Sequence, residues 1–428
     1  MFYNFVKRVL LFCKIGLYLR KIYIMYKRSQ LAVLQSRMAE PRRTIHVVMG
    51  PRQVGKSTMI DQFVENIKSP YSLFTADGQG KTNLAWISEK WHETRTRMML
   101  YNEEEHILII DEIQKITGWS EIVKKEWDQD TREKRNLKVI LLGSSRLLIQ
   151  KGLEESLEGR YETLKMGYWE WDEMRNAFGF TMEQFIYFGG FPGLAPYIND
   201  EDRWRKMMED SIIGPIFNHD ILNVEEIRNP ALLRQVFEIG SIYSSQEMSL
   251  TKMQGVINSG TVPTISSYLH TLDETMLVKP LQKFDNSTIK TKNSVPKLQS
   301  YNNAFRNCYC QHTFEEALLN KTEWGRQVES AVGAYLAGRS VIDSFQLLFW
   351  RDNKKNECDY ILKKGEKLIA IEVKSGSTDN TKGYYEFKKK FEKYIVNSFV
   401  VGPEGLPLED FFRLDIISLF RKSQKSSI

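Results

Sequence analysis

Eight consecutive residues restrict this chain more than any other feature. Gly50-Pro51-Arg52-Gln53-Val54-Gly55-Lys56-Ser57 follows directly on the apolar run Thr44–Met49 (TIHVVM). The run reads as a buried strand, and Thr58–Ile67 can continue the loop as a helix. Glycines at the two ends let backbone N–H groups turn inward around a phosphate, and the helix N-terminus adds positive potential. The full GxxxxGK[ST] spacing at a strand–helix junction predicts nucleotide binding by Gly50, Pro51, Arg52, Gln53, Val54, Gly55, Lys56, Ser57 and Thr58. Lys56 is expected on the β- and γ-phosphates and Ser57 on Mg²⁺.

A second apolar strand, His106–Ile110 (HILII), ends in Asp111-Glu112. Carboxylates at the C-terminal end of a parallel strand face the ligand crevice. Asp111 is expected to hold the Mg²⁺ hydration shell and Glu112 to polarise the attacking water. A third strand, Lys138–Leu142 (KVILL), ends in Gly143-Ser144-Ser145-Arg146. Ser144 or Ser145 could sense the γ-phosphate, or cap a helix starting near Arg146. Strand and helix in alternation predict an α/β fold with a parallel sheet covered by helices.

With 428 residues, two or three domains are expected. The 42% apolar content argues against global disorder. Net charge is +6, but residues 1–43 carry ten basic residues and one acid, Glu40, so this arm contributes +9 and the remainder −3. A broadly basic, nucleic-acid-binding body is therefore excluded as the source of the charge. Four cysteines, Cys13, Cys308, Cys310 and Cys358, are too few for a disulfide scaffold and lack zinc spacing. They suit a reduced, cytoplasmic protein.

The arm, residues 1–40, reads as helical over 2–34. Lys7, Lys14, Lys21 and Arg28 recur every seven residues, with Phe5, Val9, Phe12 and Gly16 broadly opposite. Charges interrupt every apolar stretch before it reaches spanning length, and a secretory signal fits poorly. The arm could pack on the next domain, touch anionic lipid peripherally, or contact nucleic acid.

Residues 41–180 are assigned to the nucleotide-binding domain and 181–298 to a helical linker domain. Within the linker, Ser249–Leu281 resembles a winged helix-turn-helix. Its recognition-helix positions, Ser266, Ser267, Tyr268, Leu269, His270 and Thr271, carry no lysine or arginine. That composition suits interdomain packing better than duplex reading. Residues 299–428 form the C-terminal domain, with a helix at Trp324–Ala337 and strands at Leu347–Trp350, Cys358–Leu362 and Lys367–Val373. Glu372 and Lys374 share one strand face, which is costly to bury without a metal or mutual pairing. Asp359 and Glu372, with Glu329 as a further ligand, are candidates for a second Mg²⁺ or Mn²⁺, and Lys374 for stabilising a nucleophile or phosphate.

Five segments together resemble a known family, the archaeal and bacterial AAA+-type ATPases with a C-terminal domain of unknown function. They are GPRQVGKST (Gly50–Thr58), IIDEIQKITGW (Ile109–Trp119), LLGSSRLL (Leu141–Leu148), SLEGRYETLKMGYWEW (Ser156–Trp171) and FIYFGGFP (Phe185–Pro192). Glu158 stands where that family usually has alanine. The resemblance implies a phosphate-facing or trans-acting role for Arg160. It also implies a restriction-endonuclease-like D…ExK core at FWR (Phe349–Arg351), ECDY (Glu357–Tyr360) and EVK (Glu372–Lys374), and hence an ATPase followed by a winged-helix-like module and an α/β effector domain. The expected function is Mg²⁺-dependent ATP binding and hydrolysis coupled to that domain. The alternatives are an ATP-gated metal-dependent nuclease and a nucleotide-switched DNA- or protein-binding module. A nucleic-acid or protein client and an oligomer are compatible with each.

Overall fold

The computed structural model describes residues 26–144, 149, 152–154, 156–221, 227–285, 294–376 and 381–421, with backbone alone at 219 and 220. The cationic arm before Tyr26, Ser145 and Arg146 lie outside these residues.

Five strands, β1 (Ile45–Met49), β2 (Tyr71–Thr75), β3 (His106–Asp111), β4 (Leu137–Gly143) and β5 (Tyr161–Lys165), form one sheet in the order β2-β3-β4-β1-β5. Every pairing is parallel. The central strands β1 and β4 are buried at every residue, as is β3 apart from Asp111 at its end. The outer strands β2 and β5 carry exposed and half-buried positions. This is why the central strands read as continuous apolar runs: both faces are covered. One face packs Val47, Leu108, Ile110, Val139 and Leu141 against Trp91, Trp119, Val123 and Trp127. The other packs Val48, Ile107, Ile109, Ile140 and Leu142 against Met59, Ile60 and Phe63, and this core continues into the rest of the chain.

The helix Ser29–Ala39 buries Leu31, Leu34 and Met38 against the helix that follows the phosphate loop. The helix expected over 2–34 thus differs within the described residues. Arg28 precedes the helix with an extended backbone (φ −68°, ψ 149°). Its side chain is buried and does not join an exposed cationic face.

After β5 the chain is mainly helical to residue 274. Helices Pro230–Ile242, Leu250–Ile257 and Val262–Glu274 surround the short β6 (Gln246–Glu247), and β7 (Val278–Lys283) pairs antiparallel with β8 (Lys297–Ser300). The long helix Lys321–Asp343 then precedes β9 (Gln346–Arg351), β10 (Glu357–Lys364) and β11 (Lys367–Val373), joined antiparallel. The helix Lys382–Phe391 crosses over to β12 (Ile395–Val401), which runs parallel to β11. Because β7 also pairs with β9, seven strands form one sheet, in the order β12-β11-β10-β9-β7-β8-β6. The division expected between residues 298 and 299 therefore falls inside β8, a strand paired with β6 and β7 of the middle unit.

Candidate nucleotide-binding site

The phosphate loop leaves β1 under tight steric control. A Cβ at Gly50 would collide with the Met166 carbonyl, whose own amide donates to Met49 O at 2.8 Å. Gly55 sits at φ +90°, in the left-handed region that glycine enters without strain. The helix Lys56–Val64 starts immediately after it, with no side chain capping its first N–H groups. Those donors remain directed at the loop, an arrangement suited to an anion. Lys56 is buried and lies across the loop, donating to Gly50 O at 2.9 Å and Pro51 O at 2.7 Å. Behind the loop, Val54 O accepts from Arg28 Nη1 at 3.1 Å and Trp169 Nε1 at 3.0 Å. Gln53 reaches forward, donating from Nε2 to Ser211 O at 2.8 Å, which ties the loop to the helical middle of the chain.

The strand order places β4 between β1 and β3, so the acidic end of β3 reaches over β4 to the loop. Ser57 Oγ donates to Asp111 Oδ2 at 3.0 Å. Burial, then the neighbouring Glu112 charge, pushes the Asp111 carboxyl above its usual range, while the Ser57 hydroxyl and Lys56 pull it back. A divalent cation suits that spot, because it would repay the cost of ionising Asp111. Among the described residues no group of three or more His, Cys, Asp or Glu side chains is placed to hold a metal alone. Mg²⁺ fits all the same with Ser57 and Asp111, because it keeps waters and takes phosphate oxygens as ligands.

Glu112 adopts a left-handed backbone (φ +53°), uncommon for a residue with a Cβ and often found at functional sites. Its Oε2 accepts from Gln114 Nε2 at 2.6 Å and Ser144 Oγ at 2.9 Å. The fold thus brings together Lys56, Ser57, Asp111, Glu112 and Ser144. Arg52 and Thr58 are half-buried within the same loop and helix start, and Pro51 is buried. Gln114 and Arg28 complete the site and were missing from the sequence reading. Gln114 is one of many polar residues after a strand, and Arg28 was absorbed into the seven-residue cationic period.

Arg160 stands apart. Its carbonyl accepts from Ile45 N at 2.8 Å, which puts it at the start of β1, whereas the phosphate loop leaves the end. Five residues of strand separate the two, about 16 Å. The guanidinium pairs with Asp128 at 2.8 Å and 3.1 Å. A phosphate-facing role on its own nucleotide is therefore corrected.

In the C-terminal unit Asp359 lies near both Glu329 and Glu372, but among the described residues they form no group placed to hold a metal. Lys297, from β8, occupies the space between the carboxylates: its Nζ lies 2.7 Å from Glu329 Oε1, 3.1 Å from Glu357 Oε1 and 3.7 Å from Asp359 Oδ1. Lys374 pairs with Glu372 Oε1 at 2.7 Å, and Asp359 Oδ2 accepts from Val373 N at 2.8 Å. The expected second metal site is thus corrected to an ion-pair network. Lys297 gave no signal in the sequence, since a lysine inside a fully buried strand looks like any surface lysine.

Comparison with known proteins finds three matching segments. Residues 42–175 match a model described as an AAA domain. Residues 180–315 match a domain of unknown function, DUF8612, and residues 324–413 another, DUF4143. An uncharacterized protein of Haemophilus influenzae is 22% identical over 377 residues, covering 82% of this chain and 88% of that protein. Among solved structures, the Aeropyrum pernix ORC2 protein in its ADPNP–ADP complexes is 12% identical with a TM-score of 0.40, covering 61% of this chain and 90% of that one. A variant of Thermotoga maritima RuvB is 14% identical with a TM-score of 0.31, covering 59% of this chain and 86% of that one. Among the described residues no helix is long and apolar enough to cross a membrane. The chain therefore carries a distant AAA+-ATPase-like domain, with a parallel phosphate-loop sheet, followed by two domains of unknown function.

Proposed function

We propose that this chain binds Mg²⁺-ATP on residues Gly50–Thr58 and hydrolyses it, using the nucleotide state to act on its C-terminal unit. The observation that carries this reading is the convergence of Ser57 and Asp111, 3.0 Å apart, beside a Glu112 whose carboxylate is held by two donors. Mg²⁺-ATP would supply the electrophilic phosphorus and a cation to offset the charge of its phosphates. Lys56 exchanges the Gly50 and Pro51 carbonyls for phosphate oxygens. Ser57 and Asp111 would hold the cation and its waters. Glu112 orients a water in line and accepts its proton. Ser144, just after β4, donates to Glu112 and would be the residue that senses the γ-phosphate.

Arg160 lies far from its own loop, so any part it plays in turnover requires a neighbouring copy of the chain and hence an oligomer. The order helix, strand, two helices, strand pair over residues 230–300 supports reading the middle unit as winged-helix-like. Its helix Val262–Glu274 exposes Ser266, Ser267 and His270, and these carry little charge for a phosphate backbone. A packing role that transmits the nucleotide state suits it better than duplex recognition. The helix, three antiparallel strands, helix and parallel strand of the C-terminal unit support a restriction-endonuclease-like reading of its fold. The Lys297 ammonium among its acids favours a binding or structural effector over a metal-dependent nuclease.

The test is steady-state ATP hydrolysis by the full chain with and without Mg²⁺, DNA and RNA, with the nucleic acid run on a gel. Metal-dependent phosphate release lost in Glu112→Gln, with ATP binding kept, supports the proposal. Equal turnover in both forms overturns it.

A further inference from the structure

The acidic pocket of the C-terminal unit already contains a cation. Lys297 is 1% exposed, and its three N–H groups face three carboxylates from two elements: Glu329 on the helix Lys321–Asp343, and Glu357 and Asp359 on β10. The Tyr360 ring lies 5.1 Å from the same ammonium. Separations of 2.7 to 3.7 Å are ammonium spacings, longer than the 2.0–2.6 Å that Mg²⁺ or Ca²⁺ demands of its oxygens. Burial alone would drive Lys297 toward neutrality, but Glu329, Asp359 and Glu357 outweigh it and hold the amine firmly protonated.

The lysine belongs to the middle unit's β7–β8 hairpin, and the surrounding polar groups lock that hairpin in place. Tyr360 OH lies 2.9 Å from Ser245 Oγ and 3.0 Å from Gln299 Oε1. Gln299 Nε2 donates to Ser330 O at 3.0 Å, and Ser330 Oγ donates to Ser244 Oγ at 2.7 Å. All of these side chains are buried, so each bond is protected from water. A divalent ion would have to expel a tethered ammonium from a pocket its own backbone strand helps to build.

We propose that Lys297 is the resident cation of the pocket formed by Glu329, Glu357 and Asp359. The middle unit supplies it in place of a divalent metal, and it fastens the middle unit to the C-terminal one. Removing the amine leaves three acids around a vacated space, and that pocket then takes a divalent ion.

The test is Mn²⁺ titration of the nucleotide-free full chain by calorimetry, comparing the parent, Asp359→Asn, Lys297→Ala and the double variant. Any Mn²⁺ held at Ser57 and Asp111 is common to all four and cancels. Asp359→Asn is expected to leave the parent's isotherm unchanged. Lys297→Ala is expected to gain a site, which Asp359→Asn then weakens by roughly 10–100-fold, the usual effect of losing a group that supports a metal. A parent isotherm that loses a site on Asp359→Asn overturns the proposal. So does a folded Lys297→Ala chain that gains none. If Lys297→Ala does not fold, the parent and Asp359→Asn decide alone: an unchanged isotherm supports the proposal and a lost site overturns it.

Discussion

Ser144 Oγ donates to Glu112 Oε2 at 2.9 Å, so the residue just after β4 holds the acid just after β3. Gln114 Nε2 donates to the same oxygen at 2.6 Å. The carboxylate is thereby fixed in direction, on a residue with a left-handed backbone. The pair forms because β3 and β4 are adjacent and parallel, which brings their C-terminal ends to one level.

Glu112→Gln preserves shape and removes the proton acceptor. Turnover should fall by about 10²–10⁴-fold, the usual range for a positioned general base, with ATP affinity nearly unchanged. Ser144→Ala and Gln114→Ala each leave the acid present but less well held. Each should lower kcat by roughly ten-fold or less, with little change in KM. A rise in KM with kcat intact would make both residues part of nucleotide binding.

Lys56→Ala should abolish tight ATP binding, because it removes the cation that the loop holds over its own carbonyls. Equilibrium binding of a fluorescent ATP analogue checks this. Unchanged affinity would mean that the loop binds phosphate through backbone groups alone.

Arg28 supports the loop from behind. Its Nε and Nη2 each lie 2.8 Å from a Glu173 oxygen, and both side chains are largely buried. Arg28→Ala would leave Glu173 and Val54 O short of partners. Breaking a buried pair from one side typically costs about 3–5 kcal/mol. Chemical unfolding should show a loss of that order, and ATP affinity should fall as Val54 loses a donor. Glu173→Gln retains hydrogen-bonding capacity and should cost less. Equal stability in all three chains would make the contact incidental.

The parts of this architecture that were legible in the sequence are those in which local pattern and tertiary environment agree. β1, β3 and β4 are buried on both faces, so their sequences are unbroken apolar runs, and the glycines of the loop are required by steric crowding at Met166 and by a positive φ. Arg28 was misplaced because periodicity describes one helix at a time, while its true partner lies 145 residues away. Lys297 was missed for the same reason: β8 shows no alternation because all four of its residues are buried. The Glu372–Lys374 pairing was legible, because two residues apart on a strand means one face.

Arg160 is partly exposed and paired with Asp128 on the surface, so Arg160→Ala should change stability by no more than about 0.5 kcal/mol. It should also leave ATP affinity intact, since the residue sits at the opposite end of the sheet from the loop. If it acts on a neighbour's nucleotide, turnover per chain should rise with protein concentration in the parent and stay flat in the variant. A variant with parental turnover at every concentration would remove Arg160 from the mechanism.

The buried acids of the C-terminal unit predict a stability that falls as pH rises. Burial, then the nearby Asp359 charge, pushes Glu372 from 4.5 up to about 8, with Lys374 opposing. Burial pushes Glu329 up to about 7, against the pull of Lys297. Between those values and 4.5 the folded chain keeps protons that the unfolded chain has released. Stability is therefore greatest below the unfolded value and declines as pH climbs through the folded ones. Lys297 stays charged throughout this window and adds no slope. Glu372→Gln keeps an oxygen for Lys374 but cannot ionise. Urea unfolding of parent and variant at about pH 5, 6.5 and 8 should show a shallower decline in the variant. The difference is bounded by one proton, about 1.4 kcal/mol per pH unit. Glu372 Oε2 is buried without a hydrogen-bond partner, which adds to the cost of ionising that carboxyl. Parallel pH profiles for the two chains would show that Glu372 is ionised in the fold and that Lys374 alone carries its burial.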